Sequence, residues 1–268
     1  MLLMGQCLYR DCLPHLINRF VPQNKHTLGY IWSRSMFTKK LWIRHSIVAV
    51  PSVLLISLFW FSRLDWDPEM RLWRAVGDTS WILLCTSLIL GPLARLWQPV
   101  ARLIPWRREI GIWFGVLALS HALLTLNGWV RWDVMRFFGY EYVDQLGRQA
   151  RLEPGFGLSN LLGLISLIWA LILTATSSNW AIRKIGSSAW KWLHSAAYII
   201  YYLVFLHVFY FLFIHYTVSF HRSVPPNPNW LGIPFLIVSI SVLVLQVLAF
   251  SKTVVKRNKQ LLPNKEQV

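Results

Sequence analysis

W-K-W-L-H-S-A-A-Y-I-I-Y-Y-L-V-F-L-H-V-F-Y-F-L-F-I-H-Y, from Trp190 to Tyr216, is a hydrophobic run long enough to cross a bilayer, and it carries histidines inside it. Water cannot solvate an imidazole at membrane depth, so a histidine held there needs a hydrogen-bond partner, a proton pathway or a metal. His194 and His207 are therefore the first candidates for function, and the surrounding chain has to decide between those roles.

The 268 residues are 55% apolar and 14% charged, with 16 tryptophans, which is too apolar for a soluble domain of this size. The formal charge of +16 raises the question of nucleic acid, but the basic residues stand between apolar runs and form no patch on a soluble face. Cys7, Cys12 and Cys85 make no C-x-x-C pair and no C-x-x-C-H, which argues against a disulfide framework, an iron–sulfur site and covalent haem attachment. No G-x-G-x-x-G opens a helix, so a dinucleotide-binding domain is not expected.

Six apolar runs, at about 42–62, 79–97, 110–130, 157–178, 192–216 and 230–250, each approach the roughly 20 residues a spanning helix needs. The expected fold is an all-α integral membrane protein, a six-helix bundle over residues 41–250. An N-terminal extension over 1–40 precedes it, disordered or an over-called start ahead of Met36, and a basic tail over 251–268 follows. Pro51, Pro92 and Pro234 predict kinks, since lipid-embedded helices tolerate proline when neighbours satisfy the freed carbonyls. Nineteen of the 27 basic residues and three of the 11 acidic ones fall in the N-terminal segment, the loops around Arg102 and Arg183 and the tail. The positive-inside rule then puts both termini in the cytoplasm.

Helix rise converts position into depth. His121 stands 13 residues beyond Arg108, and His207 stands 16 beyond Lys191, which is roughly 20 and 24 Å at about 1.5 Å per residue. Both helices run outward, so His121 and His207 share a depth in the outer half of the bilayer, while His194 lies near the inner interface. Two imidazoles at one depth on two helices of a bundle suit axial binding of a haem iron from both sides. A proton relay and interhelical hydrogen bonding are the competing readings. Gly115, Ala118, Ser120 and Ala122 around His121 would give a porphyrin room, as would Ser195, Ala196 and Ala197 after His194. Tyr198, Tyr201, Tyr202, Phe205 and Phe209 are candidate apolar walls. The spacing of 13 leaves His194 and His207 about 140° apart on a straight helix. His45 lies at the inner depth of His194; His215 and His221 belong to the outer end and its loop.

Four blocks carry a resemblance: Val76–Arg95 (V-G-D-T-S-W-I-L-L-C-T-S-L-I-L-G-P-L-A-R), Arg107–His121 (R-R-E-I-G-I-W-F-G-V-L-A-L-S-H), Leu173–Ser178 (L-T-A-T-S-S) and Lys184–His194 (K-I-G-S-S-A-W-K-W-L-H), followed by His207. With them the chain resembles the ferric-reductase-like transmembrane family, and within it the haem-binding membrane subunits of bacterial periplasmic methionine sulfoxide reductase systems. The resemblance implies that His121, His194 and His207 take the haem-ligand positions, holding one or two haem b groups, with FMN as a further candidate cofactor. It implies an electron-transfer subunit in the bacterial inner membrane, fed by a cytoplasmic flavin reductase and delivering to a periplasmic molybdopterin-containing reductase. The chain departs from the pattern in having Arg108 where some relatives carry a second histidine on the third span, and Gly91-Pro92 where Thr-Pro is usual. Two other functions remain open from the residues: a haem subunit reducing ferric or cupric ions, and a proton-coupled transporter or assembly protein without haem.

Overall fold

The computed structural model describes residues 26–152, 155–215 and 229–261, with side chains from residue 41 onward except 259 and 261. The chain divides into two compact units, 1–46 and 47–268. The described part of the first lies in helix α1, His26–Phe61, and includes a half-buried His45. Whether residues 1–25 are ordered, as the extension question asks, lies outside the described residues.

In the second unit, α2 (Pro68–Leu96) is followed by a 3₁₀ segment over Gln98–Trp106 and then α3 (Arg107–Thr125), which ends in a π-helical turn, Leu126–Val130. A short α4 (Val134–Phe137) leads into a hairpin of β1 (Tyr140–Val143) and β2 (Arg148–Arg151), paired antiparallel with Tyr140 opposite Arg151. Then come α5 (Phe156–Ala175), α6 (Asn179–Ile185), α7 (Ser187–His194), α8 (Ala197–Phe209) with a π-helical turn over Tyr210–Ile214, and α9 (Gly232–Leu261).

Six of these stretches are long and apolar enough to cross a membrane: Leu41–Phe61, Pro68–Leu96, Gln98–Val130, Phe156–Ala175, Ser187–Ile214 and Gly232–Asn258. They overlap the six runs expected; the third starts twelve residues early through the 3₁₀ segment, the sixth runs on to Asn258, and two further differences have a local cause. The second begins at Pro68, eleven residues earlier, because Asp67 caps it by accepting from the backbone N–H groups of Glu69 and Met70 at 2.9 and 3.2 Å, with Pro68 preset for the first turn. The fifth is jointed: a turn at Ser195–Ala196 separates α7 from α8. Pro51 and Pro92 lie inside α1 and α2, which continue through them without a break.

Helix α2 is the most enclosed of the six, half of its apolar window being buried, and it packs along α3 and α9 while α5 packs along α8 and α3. Its buried hydroxyls return to backbone oxygens, Thr79 to Ala75 at 2.8 Å and Ser80 across to Phe114 at 3.3 Å. With no water in the hydrocarbon such donors must be satisfied within the protein, and Ser80 thereby ties α2 to α3. Cys85 is a buried free thiol in this core; Cys7 and Cys12 lie outside the described residues.

A paired-histidine cavity

His121 on α3 and His207 on α8 line one cavity of about 850 Å³, beside the hairpin end of the bundle. The sequence put them at one depth, and the fold brings them to one space. Each ring is held in the same way. The Nδ1–H of His121 donates to the carbonyl oxygen of Trp73 on α2 at 2.8 Å, and that of His207 to the carbonyl oxygen of Ser159 on α5 at 2.8 Å. A carbonyl only accepts, so in both rings Nδ1 carries the proton and Nε2 keeps its lone pair. No hydrogen bond among the described residues reaches either Nε2.

Four residues beyond each accepting carbonyl stands a glycine, Gly77 beyond Trp73 and Gly163 beyond Ser159. A Cβ on Gly77 would lie 2.8 Å from Nδ1 of His121, and one on Gly163 would lie 2.9 Å from Nδ1 of His207. The missing side chain on the adjacent turn is what lets each imidazole lie against its neighbour helix and reach a backbone oxygen. The result is two neutral imidazoles, both anchored at Nδ1 and free at Nε2, which is how proteins orient a metal-ligating histidine.

The walls differ from those expected. Tyr198, Tyr201, Tyr202, Phe205 and Phe209 do not line the cavity. Tyr201 is buried with its hydroxyl donating to Ser239 on α9 at 2.8 Å, Phe205 stacks on Phe235 at 5.4 Å, and Tyr198 and Tyr202 are exposed on the apolar surface. These residues face α9 or the lipid, because on α8 the cavity side is set by Val204, His207, Val208 and Phe211. Apart from Phe211 in the turn that continues α8, the aromatic lining comes from other elements, including Trp73 and Trp81 of α2, Phe114 of α3 and Phe156 of α5. Of the small residues flanking His121, Ala118 and Ala122 do line the space. Gly115 instead abuts Thr174 of α5, and Ser120 bonds back to Val116 at 2.9 Å.

The hairpin end is partly covered by local structure that hydrophobicity alone does not reveal. Trp132, Val134, Phe137, Phe138, Glu141 and Leu152 contribute to the lining. Arg131 and Trp132 are left-handed at φ 52° and 58°, a costly backbone for residues with a Cβ, and they turn the chain from α3 over the cavity mouth. Asn160 fastens this cover by donating to the carbonyl of Phe137 at 2.8 Å. The π-helical turns that follow His121 and His207 both border this mouth, through Leu126 and Trp129 on one side and Phe211 on the other. His215 also lines it, its ring 5.2 Å from that of Phe156, so it belongs to the cavity and not to a solvated surface.

His194 is not brought to this space. It sits at the opposite end of the span, its ring stacked on Trp190 at 4.0 Å and its Nε2 3.1 Å from the hydroxyl of Thr176. Thr176 donates its own proton to Ile172 at 2.8 Å, so it accepts from Nε2–H of His194, and Nδ1 is the nitrogen left open. Arg108, thirteen residues before His121, donates to the Ser177 carbonyl at 2.8 Å and to Asn179 at 3.0 Å. Arg107 donates to the Ser87 carbonyl at 2.9 Å and lies against Gly91, where a Cβ would come within 3.3 Å of its guanidinium. Among the described residues no three His, Cys, Asp or Glu side chains gather as a metal site.

The sequence profile described as ferric reductase like transmembrane component matches residues 73–205, a segment that contains Trp73, Gly77, His121, Ser159, Gly163 and His194. The protein-methionine-sulfoxide reductase heme-binding subunit MsrQ of Yersinia enterocolitica is 31% identical over 172 residues, covering 62% of this chain and 75% of that protein. The chain belongs to the ferric-reductase-like transmembrane family. The MsrQ protein of Salmonella arizonae is 32% identical over 168 residues, covering 60% of the chain and 75% of that protein, and that of Salmonella newport is 31% identical over 174 residues, covering 62% and 78%. In this member of the ferric-reductase-like family, sequence reasoning found the histidines and missed their supports, Trp73, Gly77, Ser159 and Gly163. The sequence signal was not selective, since each of these two histidine-free spans carries two glycines, Gly77 and Gly91 in α2 and Gly157 and Gly163 in α5.

Proposed function

We propose that this chain holds a b-type haem between His121 and His207 and acts as the electron-transfer subunit of a protein-methionine-sulfoxide reductase system, in the inner membrane of a bacterium. The observation that carries the reading is the matched pair of imidazoles, both fixed at Nδ1 by a backbone carbonyl and both presenting Nε2 to one largely apolar cavity. The cavity's 850 Å³ lies in the roughly 300–1,000 Å³ range of cofactor sites, and the two glycine cradles give each ring the close approach a fixed ligand needs. The names of the curated relatives supply the group these residues fit.

Bound there, the haem supplies a one-electron couple, tuned by its axial ligands and by the polarity around it. The chain's own part is to present two neutral imidazoles at fixed orientation, to keep water out with aromatic walls, and to cover the mouth with α4 and the hairpin. The charge bias along the sequence supports cytoplasmic termini, which puts the hairpin end in the periplasm, where a molybdopterin-containing reductase would take electrons. Electrons would come in from a cytoplasmic flavin reductase at the basic end that carries His194, Arg107 and Arg108. Thirteen residues, roughly 20 Å of helix, separate Arg108 from His121, so a carrier near His194 bridges the distance, either a second haem or FMN. His194 is the candidate ligand for the first, although here its Nε2 is engaged with Thr176, and the arginines suit the phosphate of the second.

Reduced-minus-oxidised spectroscopy of the purified protein, with a haem-to-protein ratio, tests the assignment. A b-type spectrum is expected, with most of it lost in His121→Ala and in His207→Ala. Unchanged haem content in both variants would refute the ligand assignment.

A further inference from the structure

Beside the paired histidines, α2 carries a charge that the axial ligation does not use. Asp78 follows Gly77, the glycine on which the His121 ring rests, and it lines the same cavity. Its Oδ2 accepts a hydrogen bond of 2.6 Å from Nη2 of Arg63, and both side chains are buried. Arg63 lies just beyond the end of α1 with its guanidinium 5.5 to 6.0 Å from the rings of Phe59, Trp66 and Trp230. A longer contact of 3.4 Å runs from its Nη2 to Asn229, while its Nε and Nη1 have no hydrogen bond among the described residues. Other charges stand nearby: Arg74, one helical turn from Asp78, has its guanidinium 5.3 Å from the Phe211 ring and lines the cavity, as do Asp133 and Glu141 at the hairpin end, and Arg71, a turn further back on α2, lies over the Trp60 ring at 4.4 Å.

A buried ion pair of this kind is a poor device for stability. Desolvating both groups offsets most of their attraction, and an apolar pair of similar volume often does as well or better. The arginine is also incompletely satisfied, which adds to its cost. What the pair does supply is a carboxylate at the wall of the cofactor cavity, held by a partner that stands behind it.

We infer that Asp78, held by Arg63, is a positioning charge that lowers the reduction potential of the group bound between His121 and His207. This rests on the haem reading above. The oxidised haem carries one more positive charge than the reduced, so a fixed carboxylate nearby favours the oxidised form, and a fixed guanidinium favours the reduced form. In an apolar cavity such charges are weakly screened. The two members of the pair therefore act with opposite sign. A clamp that merely joined α2 to the segment at Asn229 would give both losses the same sign.

The test is a spectroelectrochemical titration of the purified full-length haem protein. Asp78→Asn is expected to raise the midpoint potential by at least ~59 mV, a tenfold change in the reduced-to-oxidised ratio for a one-electron couple. Arg63→Gln is expected to lower it, with the absorption maxima of both variants in place. Asp78→Glu, which keeps the charge, is expected to stay close to the unmodified protein. Should either single variant fail to accumulate, the double Asp78→Asn, Arg63→Gln variant carries the test. It replaces the ion pair by a neutral amide pair and is expected to shift upward, since the carboxylate is the member at the cavity wall. Unmoved potentials, shifts of one sign in both single variants, or a downward shift of the double variant overturn the inference while leaving the haem assignment intact. Unmodified protein without haem defeats the assignment and this inference with it.

Discussion

Gly163→Ala replaces one hydrogen on α5 by a methyl group and is expected to empty much of the site. The new Cβ would stand 2.9 Å from both Cε1 and Nδ1 of His207, against a comfortable carbon–carbon separation of about 3.5–4.0 Å. Either α5 and α8 part, or the ring leaves its place. Overpacking a tight contact costs about 1–3 kcal/mol. If the ring moves instead, the Nδ1 hydrogen bond to Ser159 is lost, and removing such a support lowers metal affinity by about 10- to 100-fold. That loss equals roughly 1.4–2.8 kcal/mol, so the two routes predict penalties of similar size. Gly77→Ala places a Cβ 2.8 Å from Nδ1 of His121 and is expected to behave alike. Gly111→Ala on α3 is the matched control, because a Cβ there meets nothing within 4 Å. The assay is haem-to-protein ratio and reduced-minus-oxidised spectrum for the three variants made side by side. Full haem occupancy with unaltered spectra in Gly77→Ala and Gly163→Ala would refute the cradle argument.

Two further variants separate backbone from side-chain support and one end of the span from the other. Ser159→Ala removes the hydroxyl that donates to the His207 carbonyl at 3.1 Å but leaves the Ser159 carbonyl that orients the ring, so haem content should hold while the thermal midpoint falls by an amount matching about 1 kcal/mol. His194→Ala should leave the spectrum of the group between His121 and His207 in place and abolish its reduction from the cytoplasmic side in inverted vesicles; normal reduction there would exclude His194 from the path.

The spans were legible because a bilayer imposes a length and an apolar composition on each of them, and all six expected runs are helices long enough to cross. The depth match of His121 and His207 followed from helix rise alone. Which residues surround them did not. Tyr201 and Phe209 were as plausible as Val204 and Phe211 from spacing, since an α8 apolar on all faces carries no mark of which side meets α5, which meets α9 and which meets lipid. The turn at Arg131 and Trp132 was equally hidden, because a left-handed backbone at residues with a Cβ runs against local preference.

The sequence by itself determined that this chain is a membrane bundle of the ferric-reductase-like family with two histidines at one level. Hydrophobicity, chain length and residue type are properties of single segments, and they suffice for that much. Only the tertiary structure decided that Gly77 and Gly163 make room for the two rings, that Trp73 and Ser159 fix their tautomers, and that Asp78 with its arginine stands at the cavity wall. Each of those relations joins residues on different helices, so it exists only once the helices have chosen their neighbours and rotations. In lipid that choice is made by close packing and interhelical hydrogen bonds, which no single segment encodes.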